Sequence, residues 1–195
     1  MDAWLVRMQN RFSLLVPRER IGVIIGEDGK VKDRIERIFK VNLNIDSESG
    51  TIEITQTQDG DLTNVLKARD AVTAIARGFS PEDALKLKSD DIILDIIDLR
   101  EIFGKSDSDI TRVKGRIIGR NGKMRRALEE LTGTDMSIYG HTVAITGDYE
   151  AVSTAREAIS MLIEGKQHST VYKFLRRRRH EEKKKRMTEL WIHPE

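Results

Sequence analysis

The chain has 195 residues, no cysteine, and a nearly balanced charge of 34 Lys and Arg against 32 Asp and Glu. Without thiols there are no disulfides, thiolate metal sites or cysteine nucleophiles, and the balance excludes an all-over polycation. No apolar run reaches the ~18 residues that span a bilayer, so the expectation is a soluble, cytoplasmic protein that touches no membrane.

In chain order, residues 12–16 form a short apolar run that reads as a strand ended by Pro17. Residues 19–25 fit two helical turns, stopped by Gly26. A second helix follows Gly29, with apolar positions Val31, Ile35 and Ile38. Strands at 41–45 and 51–55 alternate apolar and polar residues around a turn at Ser49-Gly50. An amphipathic helix is expected over 62–76, and a short one near Ser80, whose hydroxyl can cap it ahead of Pro81.

The pattern then starts again. A strand is expected at 92–97, helices on either side of residues 119–122, strands near 136–139 and 142–146, and a helix over 149–163. A last helix starts near His168, carries Val171, Phe174 and Leu175, and becomes almost wholly charged. The segment 98–108 is extra in this second half. The order is βααββα twice, an α+β fold with a three-stranded sheet packed on helices in each copy. The expected division is 10–88, 91–167 and a basic C-terminal helix and tail at 168–195.

The repeat is visible in the residues themselves. Ile24-Ile25-Gly26-Glu27-Asp28-Gly29-Lys30 matches Ile117-Ile118-Gly119-Arg120-Asn121-Gly122-Lys123, and Ile35 and Ile45 fall opposite Leu128 and Ile138 at the same spacing. A glycine loop between two helices lets the backbone approach a ligand closely and presents unpaired N–H groups at the start of the second helix. From Arg112 to Arg126 there are seven cations and no anion, whereas the corresponding window 19–33 holds three bases and four acids. The later loop therefore suits a phosphodiester backbone. Lys114, Arg116, Gly119, Arg120, Asn121, Gly122, Lys123 and Arg126 are its candidate contacts, and Ile117, Ile118 and Ile138 are a candidate apolar floor for unstacked bases. The earlier loop places Glu27 and Asp28 where phosphates would approach, a repulsion on the order of 1 kcal/mol per pair even in water. It is expected to bind RNA weakly or not at all.

The Ile-Ile-Gly-x-x-Gly-Lys pattern in a βααββα unit resembles the type I KH domain. Two such units, followed by His168-Ser169-Thr170-Val171-Tyr172-Lys173-Phe174-Leu175, resemble the archaeal two-KH RNA-processing proteins and their eukaryotic relatives, the Partner-of-Nob-One (Dim-two) pre-ribosomal factors. The resemblance implies binding of single-stranded RNA near the 3′ end of small-subunit ribosomal RNA during its maturation. It also implies an endonuclease or a translation initiation factor subunit as partner.

Other classes fare less well. A nucleotide-binding GxxxxGK[ST] loop would need glycine at Ile117 and a hydroxyl at Met124. The four histidines show no ligand spacing, and Asp90-Asp91 and Asp107-x-Asp109 are a poor start for a metal site. The expectation is a non-enzyme with no cofactor and no metal. The alternatives kept open are a protein-interaction scaffold or translation-linked adaptor in which RNA binding is secondary, and a binder of single-stranded DNA. The net +6 of residues 176–186 is either a solvated helix or a further phosphate contact.

Overall fold

The computed structural model of the chain describes residues 11–192, in two units that meet between Leu94 and Asp95. In the first, β1 (Arg11–Leu15), β2 (Val41–Asp46) and β3 (Thr51–Gln56) form an antiparallel sheet of order β1-β3-β2. Register puts Phe12, Ile54 and Leu43 in one row and Leu14, Ile52 and Ile45 in the next. With side chains alternating along each strand, these rows share one face. Three helices cover that side: α1 (Arg18–Ile25) buries Ile21 and Ile24, α2 (Lys30–Phe39) Ile35 and Phe39, and α3 (Leu62–Ala76) Val65, Val72 and Ile75. Asp61 caps α3 by accepting from the Asn64 N–H, and Ser80 caps the short α4 (Pro81–Leu85) by accepting from the Asp83 N–H. A 3-10 turn over Lys86–Lys88 then buries Leu87.

The second unit repeats the order with β4 (Ile93–Asp98), α6 (Asp107–Ile118), α7 (Lys123–Thr132), β5 (Asp135–Tyr139), β6 (Thr142–Gly147) and α8 (Tyr149–Ile163), in a sheet of order β4-β6-β5. The repeat extends to polar contacts. Asp148 caps α8 as Asp61 caps α3. A carboxylate oxygen of Glu36 accepts from the Leu43 N–H at 2.6 Å, and one of Glu129 from the Met136 N–H at 3.1 Å. Arg20 donates to the carbonyls of Ile75, in the last turn of α3, and Phe79, just beyond it, and Arg116 to those of Leu162, in the last turn of α8, and Lys166, just beyond it.

One feature differs from expectation. Part of the extra segment is itself helical: α5 (Leu99–Phe103) is capped by Asp98, packs on β6, and buries Leu99, whose N–H donates to the His141 carbonyl at 2.9 Å. The last helix, α9 (His168–Ile192), packs on α7 and α8 through Val171, Phe174 and Leu175. Among the described residues no helix is long and apolar enough to cross a membrane.

Candidate nucleic-acid interface

Gly119 closes α6 at φ 69° and ψ 173°, a region that essentially only glycine occupies. A Cβ there would lie 2.7 Å from the Met124 Cβ and 2.9 Å from the Met124 nitrogen. Glycine therefore lets α7 start hard against the end of α6. Asn121 and Gly122 follow in the left-handed region, at φ 54° and 72°, and the Gly122 N–H donates to the Gly119 carbonyl at 3.1 Å. α7 starts with no side-chain cap, which leaves the positive end of its dipole to a ligand or water. Arg126 braces the loop by donating to the Asn121 carbonyl at 2.8 Å.

The seven cations of the 112–126 run do not act alike. Arg120 and Lys123 are exposed at the loop and pair with no acid among the described residues. Arg112 is paired with Asp109 and Arg125 with Glu129. Lys114 donates to the Gly140 carbonyl in the β5–β6 turn at 2.6 Å. The Arg116 guanidinium is held by carbonyls at and just beyond the end of α8, so its first role is to fasten two helices. One expectation is corrected: Ile117 is 0% exposed and belongs to the core, because a helix face that supports a tight loop must itself be packed. Ile118, 36% exposed, and the half-buried Ile138 remain as apolar surface.

The first loop has nearly the same backbone, with Gly26 at φ 72° and ψ 178°, and Asp28 at φ 50° where Asn121 stands in the second. Its electrostatics are opposite. The Lys30 ammonium lies 3.6 Å from both Glu27 and Asp28 and is neutralised by them, whereas Lys123 meets no acid in its loop.

Two residues not singled out from the sequence as site residues reach, from α9, the helices that flank the second loop. His168 donates from Nε2 to the Arg116 carbonyl at 2.9 Å, and the Tyr172 hydroxyl donates to the Lys123 carbonyl at 3.5 Å. Their four-residue spacing on the last helix was the available signal. The candidate metal ligand Asp109 is otherwise engaged. The Ser106 hydroxyl, then Arg112, hold its carboxyl below the usual Asp range. No three His, Asp or Glu side chains among the described residues are grouped to hold a metal.

Comparison with known proteins agrees with this architecture. Residues 11–74 match the KH domain family, and residues 93–180 match the eukaryotic type KH-domain, type I. A KH domain-containing protein of Methanocaldococcus jannaschii is 49% identical over 91% of this chain and 78% of its own length. The RNA-binding protein pno1 of Dictyostelium discoideum is 27% identical over 83% of this chain and 68% of its own. Among solved structures, Dim2p from Pyrococcus horikoshii aligns with a TM-score of 0.78 at 43% identity, covering 86% of this chain and 98% of that one. An a/eIF2alpha–aDim2p–rRNA complex from the same organism contains a chain that aligns with a TM-score of 0.85 at 41% identity, covering 92% of this chain and 99% of that one. With two KH units in the same order, matched along nearly their whole length, the chain belongs to the two-KH-domain family of the PNO1 and Dim2p proteins.

Proposed function

We propose that this chain binds single-stranded RNA through residues 119–122, as a non-catalytic factor in the maturation of small-subunit ribosomal RNA near its 3′ end. One observation carries the reading: of two loops with nearly the same backbone, only the second presents cations with no acid partner among the described residues, Arg120 and Lys123, beside an uncapped helix start. Single strands fit such a site because their bases are free to splay onto apolar surface such as Ile118 and Ile138. Relatives named as pre-rRNA-processing proteins, and a structural neighbour held in a complex with rRNA, support the choice of RNA over DNA. That neighbour's complex also contains a/eIF2alpha, which favours an initiation factor subunit as protein partner and keeps an adaptor role as the second reading.

Crosslinking in cell extract, followed by sequencing of the attached RNA, tests the proposal. Reads should concentrate at the 3′ end of small-subunit rRNA and be lost from a variant carrying Arg120→Asp and Asn121→Asp. Reads that ignore the loop variant would overturn the site, and reads with no rRNA enrichment would overturn the substrate. Purified RNA incubated with the protein and magnesium should stay intact.

A further inference from the structure

We infer that α9 carries a second phosphate track, continuous with the 119–122 loop, along which the same RNA strand runs once it leaves the clamp. The inference rests on the RNA-binding reading of that loop.

At 100° per residue, His168, Tyr172, Arg176, Arg179 and Lys183 fall within about 40° of one line along α9. The first two bond to the helices on either side of the loop, through the carbonyls of Arg116 in α6 and Lys123 at the start of α7. The line therefore starts at the clamp. Arg176, Arg179 and Lys183 continue it, all exposed and none in an ion pair with a described residue. The stripe contains no acid.

The rest of the helix is used differently. Val171, Phe174 and Leu175 are buried. Arg178 bonds Glu157 at 3.0 Å, and Lys185 bonds Glu150 at 2.9 Å, both acids on α8. Glu181 takes Arg177 and Arg178. The helix thus turns its packing residues and its neutralised cations toward α8 or its own acids; of the exposed cations without a described acid partner, Arg176, Arg179 and Lys183 continue the row from His168 and Tyr172, while Lys173 and Lys184 lie about 100–120° round the helix from it. From Tyr172 to Lys183 the row is about 16 Å long. A GxxG loop clamps four nucleotides, so a longer strand has chain left to lie on the row. The half-buried Tyr172 ring at the junction offers a face on which the first base past the clamp can stack.

The test is a set of titrations of the full chain with a single-stranded RNA 5-mer and a 12-mer, each at several salt concentrations. The wild type should bind the 12-mer more tightly than the 5-mer and with a steeper salt dependence. Replacing Arg176, Arg179 and Lys183 together by Gln should leave 5-mer binding unchanged. It should cost about 10-fold on the 12-mer and flatten its log–log salt slope by about 2, at ~0.7 per lost contact. A control variant, Lys173→Gln, Arg177→Gln and Lys184→Gln, removes the same charge from the neighbouring flank and should lose far less. Equal losses from the two triple variants would mean diffuse attraction and overturn the track, as would a 12-mer that ignores the stripe. If instead the 5-mer binds equally well to the variant carrying Arg120→Asp and Asn121→Asp, it is the loop reading itself that fails.

Discussion

Gly119 and Gly122 look interchangeable in the sequence, yet they do different work. At Gly119 a Cβ meets the start of α7 in a glycine-only region, whereas at Gly122 it meets only the Arg126 guanidinium at 3.8 Å. Gly119→Ala should destabilise the protein by about 2–4 kcal/mol in chemical denaturation, and Gly122→Ala by about 1–2 kcal/mol. Ile117 and Ile118 separate in the same way. Ile117→Ala should cost about 2–5 kcal/mol of stability as a core deletion, while Ile118→Ala should leave the denaturation midpoint nearly in place. Counting charges exposed the contrast between the loops, but not what each cation does. The partners of Arg116 are carbonyls 46 and 50 residues away, and a carbonyl carries no mark in the sequence.

Titration belongs at this scale too. Asp83 is held below its ordinary 3.8 by Lys86 and then Ser80, Asp109 below 3.8 by Ser106 and then Arg112, Asp46 below 3.8 by Ser49, and Glu53 below 4.5 by Arg11. A carboxyl with a depressed folded value stabilises the fold above its unfolded value and loses that contribution as pH falls through the folded one. The thermal midpoint should therefore be level down to about pH 5 and decline below about pH 4, a course that a pH series by circular dichroism would check.

Among the elements, those with a clear period were legible, as was the short α4 from its Ser80 cap ahead of Pro81, whereas α5 and the 3-10 turn, too short for a period, were not. The helices α3 and α8 were expected at their observed bounds, because fifteen residues carry an apolar stripe. The five residues of α5 and the three of the 3-10 turn at Lys86–Lys88 cannot show a 3.6-residue repeat. Helix ends differ between the copies in a way that yields a prediction. α2 stops at Lys40 in the left-handed region, at φ 51°, where α7 stops at Gly133, at φ 78°. Lys40→Gly should stabilise the first unit by about 1 kcal/mol, and Gly133→Ala, with open space for its Cβ, should destabilise the second by about as much. A loss on Lys40→Gly would show that the left-handed Lys40 is not strained. For α9, the anchor Val171, Phe174 and Leu175 was legible as apolar spacing. Its contact with the helices flanking the loop was not, since it depends on how the helix docks.

At the scale of the molecule, one topology is built twice with opposite electrostatics. The shared parts are those that packing requires: sheet order, helix caps, the glutamate that meets the second strand, and the arginine that fastens the last helix. The parts that diverge are at the loop, where packing asks only for two glycines and leaves the residues between them free to differ. Near-neutral total charge hid this division, which emerged once the two windows were aligned.

Lys30 and Lys123 occupy the same place in the two loops, the first neutralised by Glu27 and Asp28 and the second with no acid partner among the described residues. The most direct measurement is the dissociation constant of a single-stranded RNA 5-mer for the wild type, Lys123→Asp and Lys30→Asp, with folding of each checked by circular dichroism. The account predicts a loss of about 30-fold or more for Lys123→Asp and a change of no more than about 2-fold for Lys30→Asp, whose site already repels phosphate. Equal losses would contradict it.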